Sequence, residues 1–117
     1  MWIIELIELG SEHMCIKHLR IIAPEMKNTR VDSKTRVITS AAWKIGVSNR
    51  QALIGVPVSL YRNSSKCSVA DGVITALLPA EDEHGEKRFI IKAKWLSRDS
   101  KWLGSKSNGS ALVYEYQ

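Results

Sequence analysis

Two apolar runs facing each other across an acidic tip constrain this chain most: GVITALLPA over 72–80, EDEHGEK over 81–87 and RFIIKAKWL over 88–96. In the last run Phe89, Ile91, Ala93 and Trp95 alternate with Ile90, Lys92 and Lys94. That period of two is what a strand buried on one face requires. The pattern predicts an antiparallel hairpin with a long charged tip. It also places Trp95 beside Phe89 and Ile91, toward a core, where burial of a large aromatic is reason enough for its presence.

The flanking sequence adds shorter elements. MWIIELIELG is the most apolar stretch, but Glu5 and Glu8 interrupt it and no basic residues precede it. It is too short to cross a bilayer, and it reads as a strand over 2–9 rather than a signal peptide. MCIKHLRII over 14–22 sets Cys15, Lys17, Leu19 and Ile21 against Ile16, His18, Arg20 and Ile22. Neither side is cleanly apolar, so strand and helix both stay open there. Pro24 ends that element, and EMKNTRVDSKTR over 25–36 reads as a polar, basic loop. Ser48-Asn49-Arg50-Gln51 matches a capping box that would open a short helix stopped by Gly55. VPVSLYR over 56–62 is extended, with Val56, Val58 and Leu60 on one face, and Asp71-Gly72 signals a turn or a bulge. A stretch of turn formers over 97–110 leads to a final strand, ALVYEYQ, with Leu112, Tyr114 and Tyr116 on one face.

At 117 residues the chain fits a single domain with a core of its own. The expectation is an α+β, β-rich domain: a small, mostly antiparallel curved sheet or partly open barrel with one or two short helices. Residues 1–36 form its N-terminal part and 37–117 its β-rich core. Cys15 and Cys67 stand alone without paired spacing, which argues against a disulfide. With no membrane span or export signal legible, a cytoplasmic protein is expected.

Charge is the main functional signal. The net charge is +5, and it is unevenly spread. Residues 1–13 carry three acids and no base, 14–71 carry ten bases against three acids, and 88–106 carry six bases against one acid. Two basic blocks that a fold could bring together favour a polyanionic partner, through phosphate neutralisation and counterion release. Solubility alone is the competing explanation.

The stretch from Trp43 to Trp95 has a definite order: a Trp, a short capped helix, a strand over Gly55–Tyr61, a strand beginning Asp71-Gly72-Val73-Ile74, and a hairpin return ending in Trp95. This order, over roughly 37–116, resembles the PUA-like superfamily, which includes the PUA, ASCH, EVE and YTH domains. The resemblance implies a small curved or barrel-like sheet and a role in binding RNA, modified nucleobases or nucleotides. The N-terminal 36 residues have no counterpart in that pattern.

Chemistry beyond binding finds little support. His13, Cys15 and His18 do not converge as three ligands on a strand or on a helix, so no metal is assigned. No phosphate-cradling glycine loop, nucleophile elbow or paired-His motif occurs, and no cofactor is expected. The acids at the hairpin tip read as a solvated charge cluster, with His84 among them. The expected function is therefore a non-catalytic module for nucleic acid or nucleotide. Its candidate contacts are Lys44, Arg50, Arg62, Lys92, Lys94, Arg98 and Lys101 for phosphate, with Arg30, Lys34, Arg36 and Lys66 in the wider footprint, and Trp43, Tyr61 and Trp102 for stacking. Trp102 could equally cap one end of the sheet. Two alternatives stay open: a self-associating interaction domain, a homodimer through an exposed strand, and a small-molecule pocket lined by Trp43, Tyr61 and Trp95.

Overall fold

The alternation over 73–97 builds the centre of the molecule. In the computed structural model, which describes residues 15–63, 65–102 and 110–117, β5 (Ala70–Glu81) and β6 (Lys87–Ser97) form the long antiparallel hairpin. Its tip is ordered by Asp82, whose carboxylate accepts from the backbone N–H groups of His84 and Glu86 and ion-pairs with Arg88 at 3.0 Å.

Five further strands complete one mixed sheet: β1 (Ile16–Ile22), β2 (Thr29–Asp32), β3 (Val37–Trp43), β4 (Pro57–Tyr61) and β7 (Ala111–Tyr116). The order is β2-β3-β6-β5-β4-β1-β7. Every pairing is antiparallel except β1 with β4. Among the described residues the sheet does not close into a barrel, and β2 and β7 are its edges. One face carries the apolar core, with Leu19, Ile21, Ile38, Val58, Leu60, Ile74 and Ile91 all at most 2 % exposed. The chain between β3 and β4 adds Ile45, Leu53 and Val56 to that core.

Several local expectations are corrected. Residues 25–36 are no loop. A 3-10 turn at Pro24–Met26 leads into β2, which pairs with β3 from Thr29↔Ser40 to Asp32↔Val37. The connection is tight because Asp32 accepts from the N–H groups of Lys34 and Thr35, an Asx-type turn hidden in a basic, polar sequence. The helix, α1 (Val47–Arg50), starts two residues earlier than the capping box implies. Its N-cap is Gly46, with no side-chain cap, so Ser48 lies inside the first turn where its hydroxyl cannot close the box. A run of turns then ends at Gly55, whose φ of 84° suits glycine. MCIKHLRII resolves to a strand. Of the turn or bulge signalled by Asp71-Gly72, the structure shows a bulge: the β5–β6 register shifts there, with Leu96 of β6 as the extra residue. A side chain at Gly72 would collide with the Lys94 carbonyl, so only glycine lets the two strands approach here. The strand expected over 2–9, His13, Ser64 and residues 103–109 lie outside the described residues.

Candidate nucleic-acid interface

The face opposite the core has two halves. In the first, strand register sets cations side by side. Arg30 pairs with Thr39 and Thr39 with Lys92, so these three side chains form one row across β2, β3 and β6. The next row runs Asp32, Val37, Lys94, Val73 and Pro57. Arg30, Asp32, Thr35, Val37, Thr39 and Lys92 line a shallow recess of about 290 Å³. Its one acid, Asp32, is engaged by the turn: the Lys34 and Thr35 backbone N–H groups hold its carboxyl below the usual range.

The second half continues the same face onto β5, β4 and β1. Ser59 lies two residues beyond Pro57 on β4, and it pairs with Arg20 on one side and Asp71 on the other. All three are buried, Arg20 to 6 % and Asp71 to 8 % exposure. Nε2 of His18 lies 2.8 Å from the Ser59 hydroxyl. Arg20 donates to Glu115 at 3.2 Å, and Asp71 accepts from the Ser100 hydroxyl at 2.8 Å. Among the described residues, Nε of Arg20 and Oδ1 of Asp71 have no hydrogen-bond partner. Burial, reinforced by the neighbouring Arg20, lowers the His18 pKa, which keeps the ring neutral near pH 7. Ser59 and His18 are a hydroxyl and a base within reach of each other. Ser59 is nevertheless fully buried, and Asp71 bonds Ser100 rather than the imidazole, so a nucleophile–base–carboxylate chain is not assembled.

Packed against this half at Asp71 and Tyr61 is the segment 98–102, which follows β6. Ser100 and Asp99 exchange backbone hydrogen bonds with Ser68 at 2.9 and 3.0 Å, and the Ser100 N–H donates to the Ser68 hydroxyl at 2.8 Å. The buried Tyr61 hydroxyl donates to the Lys101 carbonyl at 3.1 Å. Burial raises the Tyr61 pKa, so this donor stays protonated. Trp102 meets the Tyr61 ring edge to face, with centroids 4.9 Å apart. Beside it Ser65, Lys66, Cys67, Lys101 and Trp102 line a recess of about 300 Å³.

The expected contact residues thus separate into groups. Lys92 and Lys94 share the open face with Arg30, while Lys101 and Trp102 share the second recess with Lys66. Arg98 is exposed beside them, 3.5 Å from Asp99, and Arg62 is exposed just past β4. Tyr61 is wholly buried and offers no ring face to a ligand; it supports Trp102 instead. Trp43 packs on the core side, opposite Phe89, and its indole N–H donates to Ser40, with Lys44 exposed next to it. Arg50 lies over the Phe89 ring at 4.6 Å and donates to the Ile45 carbonyl, which ties α1 to the sheet. Trp95 also packs against the core, under the Arg36 guanidinium at 4.2 Å. Of the three residues proposed to line a small-molecule pocket, Trp43, Tyr61 and Trp95, none lines the two recesses named above, and Trp43 borders a separate one of about 150 Å³.

Arg20, Ser59, Ser68 and Ser100 are the site residues that sequence reasoning missed, and Asp71 was read only as a turn former. The available signal was polar residues within otherwise apolar strands, Arg20 in CIKHLRII and Ser59 in VPVSLY. Among the described residues, no group of three or more His, Cys, Asp or Glu side chains is placed to hold a metal ion, and no helix is long and apolar enough to cross a membrane. No family model, curated protein or solved structure matches the chain.

Proposed function

We propose that this protein binds unpaired nucleic acid along the face opposite its core, with phosphates on the open row and a base against Trp102. The observation that carries the reading is the meeting of the two basic blocks: Arg30 from the first and Lys92 from the second stand in one row, with Lys94 beside them. Cations that neutralise adjacent phosphates give affinity without sequence preference. Lys66 and Lys101 repeat the arrangement around an indole, the combination that stacks a base while holding its phosphate. This ligand class agrees with the one the PUA-like resemblance implies.

Fluorescence anisotropy with labelled single-stranded and duplex oligonucleotides across a salt series tests it. Single strands should bind more tightly, and log K should fall linearly with log salt. Replacing Arg30, Lys92 and Lys94 together by Ala should reduce that slope by about 2, at roughly 0.7 per phosphate contact. Trp102→Ala should cost about 1–3 kcal/mol and leave the slope unchanged. An absence of binding at low salt sinks the proposal.

One observation favours self-association as a second reading. Among the described residues β7 is a six-residue edge strand carrying neither Lys nor Pro, with Tyr116 exposed at its end. Such an edge can pair with a copy of itself about a two-fold axis. Light scattering that gives twice the chain mass would support it.

A further inference from the structure

We infer that residues 98–102 form a latched strap, and that Ser68, Asp71 and Ser100 are positioning residues which hold Trp102 and Lys101 in their binding arrangement. The inference rests on the nucleic-acid reading for its ligand, but the latch itself stands on geometry alone. Arg98, Asp99 and Lys101 are exposed, so apolar burial by the strap comes from Trp102 alone. The other contacts that fasten it, among the described residues, include five hydrogen bonds. Ser68 accounts for three of these, and it is itself 2 % exposed, a fixed anchor between β4 and β5. Asp71 supplies the fourth through the Ser100 hydroxyl, and Tyr61 the fifth through the Lys101 carbonyl.

The layer beneath the strap gives this closure its character. A cover over apolar side chains is held by the water it excludes. This one is bonded to Asp71, a buried carboxylate whose Oδ1 has no partner among the described residues. Water reaching that atom would satisfy it, so opening is less unfavourable than it would be over a dry core. Closure therefore depends on a few directional bonds, chiefly those of Ser100. The chain also has a built bend where the strap leaves β6. Asp99 takes a left-handed conformation, φ 70°, which Asp tolerates better than most residues. An element with little buried area, a bend at one end and a short set of hydrogen bonds opens as a local unit without unfolding the sheet.

Ser100→Ala is the decisive variant, because it removes the Asp71 contact and leaves the backbone bonds to Ser68 in place. Limited trypsin digestion read by mass spectrometry reports the strap at Arg98 and Lys101, with cleavage after Lys34 in the β2–β3 turn as internal reference. The ratio of strap to reference cleavage should rise about fivefold or more in Ser100→Ala. Ser68→Ala should act in the same direction, with unchanged far-ultraviolet circular dichroism in both. In the anisotropy assay Ser100→Ala should lose most of the affinity that Trp102→Ala loses, with the salt slope of the wild type. Two results overturn the inference: an unchanged cleavage ratio in both variants, or a loosened strap with unaltered oligonucleotide affinity. If the wild type binds no oligonucleotide, the nucleic-acid reading fails, while the cleavage ratio still decides the latch.

Discussion

The two halves of the sheet face opposite the core use charge in opposite ways. On β2, β3 and β6, Arg30 and Lys94 are exposed and Lys92 is half-buried at the edge of an open recess. On β1, β4 and β5 the same face buries Arg20 and Asp71 and engages them with Glu115 and with Ser100 of the strap. A cation in the first half is available to a partner. A cation in the second is a structural part whose removal is felt by the fold. The difference lies in the cover above each side chain, because strand and parity are equivalent in both halves.

That contrast can be broken in order of effect. Gly72→Ala, at the bulge joining the halves, should be the most damaging change. The new methyl meets the Lys94 backbone carbonyl, which cannot rotate away, and a loss of about 3 kcal/mol or more is expected in urea unfolding. Arg20→Met should follow at about 2 kcal/mol. It removes one partner of an ion pair whose arginine is buried, discounted because the Glu115 side chain is 35 % exposed. Lys92→Ala, the matching deletion in the open half, should stay within about 0.5 kcal/mol in the same experiment while weakening oligonucleotide binding. Equal losses for Arg20→Met and Lys92→Ala would erase the distinction.

The smallest effect sharpens the comparison through pH. His18 has a folded pKa depressed below its ordinary 6.5, from burial first and Arg20 second, and Lys17 acts in the same direction against Glu115 and Asp71. Its contribution to stability is therefore complete above about pH 6.5. It is lost as pH falls through the lower folded value, because the unfolded chain takes up the proton first. Unfolding midpoints between pH 7.5 and 5, on the order of a dozen points, should show this decline, and His18→Gln should flatten it. A wild-type curve parallel to that of the variant would remove His18 from the account.

How much was legible in the sequence follows from the same cover. The β5–β6 hairpin could be read directly, since Phe89, Ile91 and Ala93 face the core and Lys92 and Lys94 face outward, so burial and hydropathy agree. β1 could not be read as a strand because His18 and Arg20 sit on a face that is polar and yet covered. Alternation there carries no contrast. β2 was lost for a different reason: Asp32 and its turn look like loop chemistry, and the strand has only four residues. In the candidate site, Lys92, Lys94, Lys101 and Trp102 were recoverable from local pattern. The Ser59, Asp71 and Ser100 contacts were not, because their partners lie 41 and 29 positions away. Tyr61 was expected to stack on a ligand, and the strap that buries it was invisible to periodicity.

The position of β1 also dictates an order of assembly. It lies between β4 and β7, and its side-chain bonds to those strands span 41 and 95 positions. The β5–β6 hairpin closes through neighbouring residues at little entropic cost, whereas β1 must wait for both distant partners. The charges on β1 are accordingly desolvated late, when the rest of the sheet is already there to receive them. A nascent chain of this sequence carries Arg20 in water until its final strand arrives, and Glu115 is part of what that strand brings.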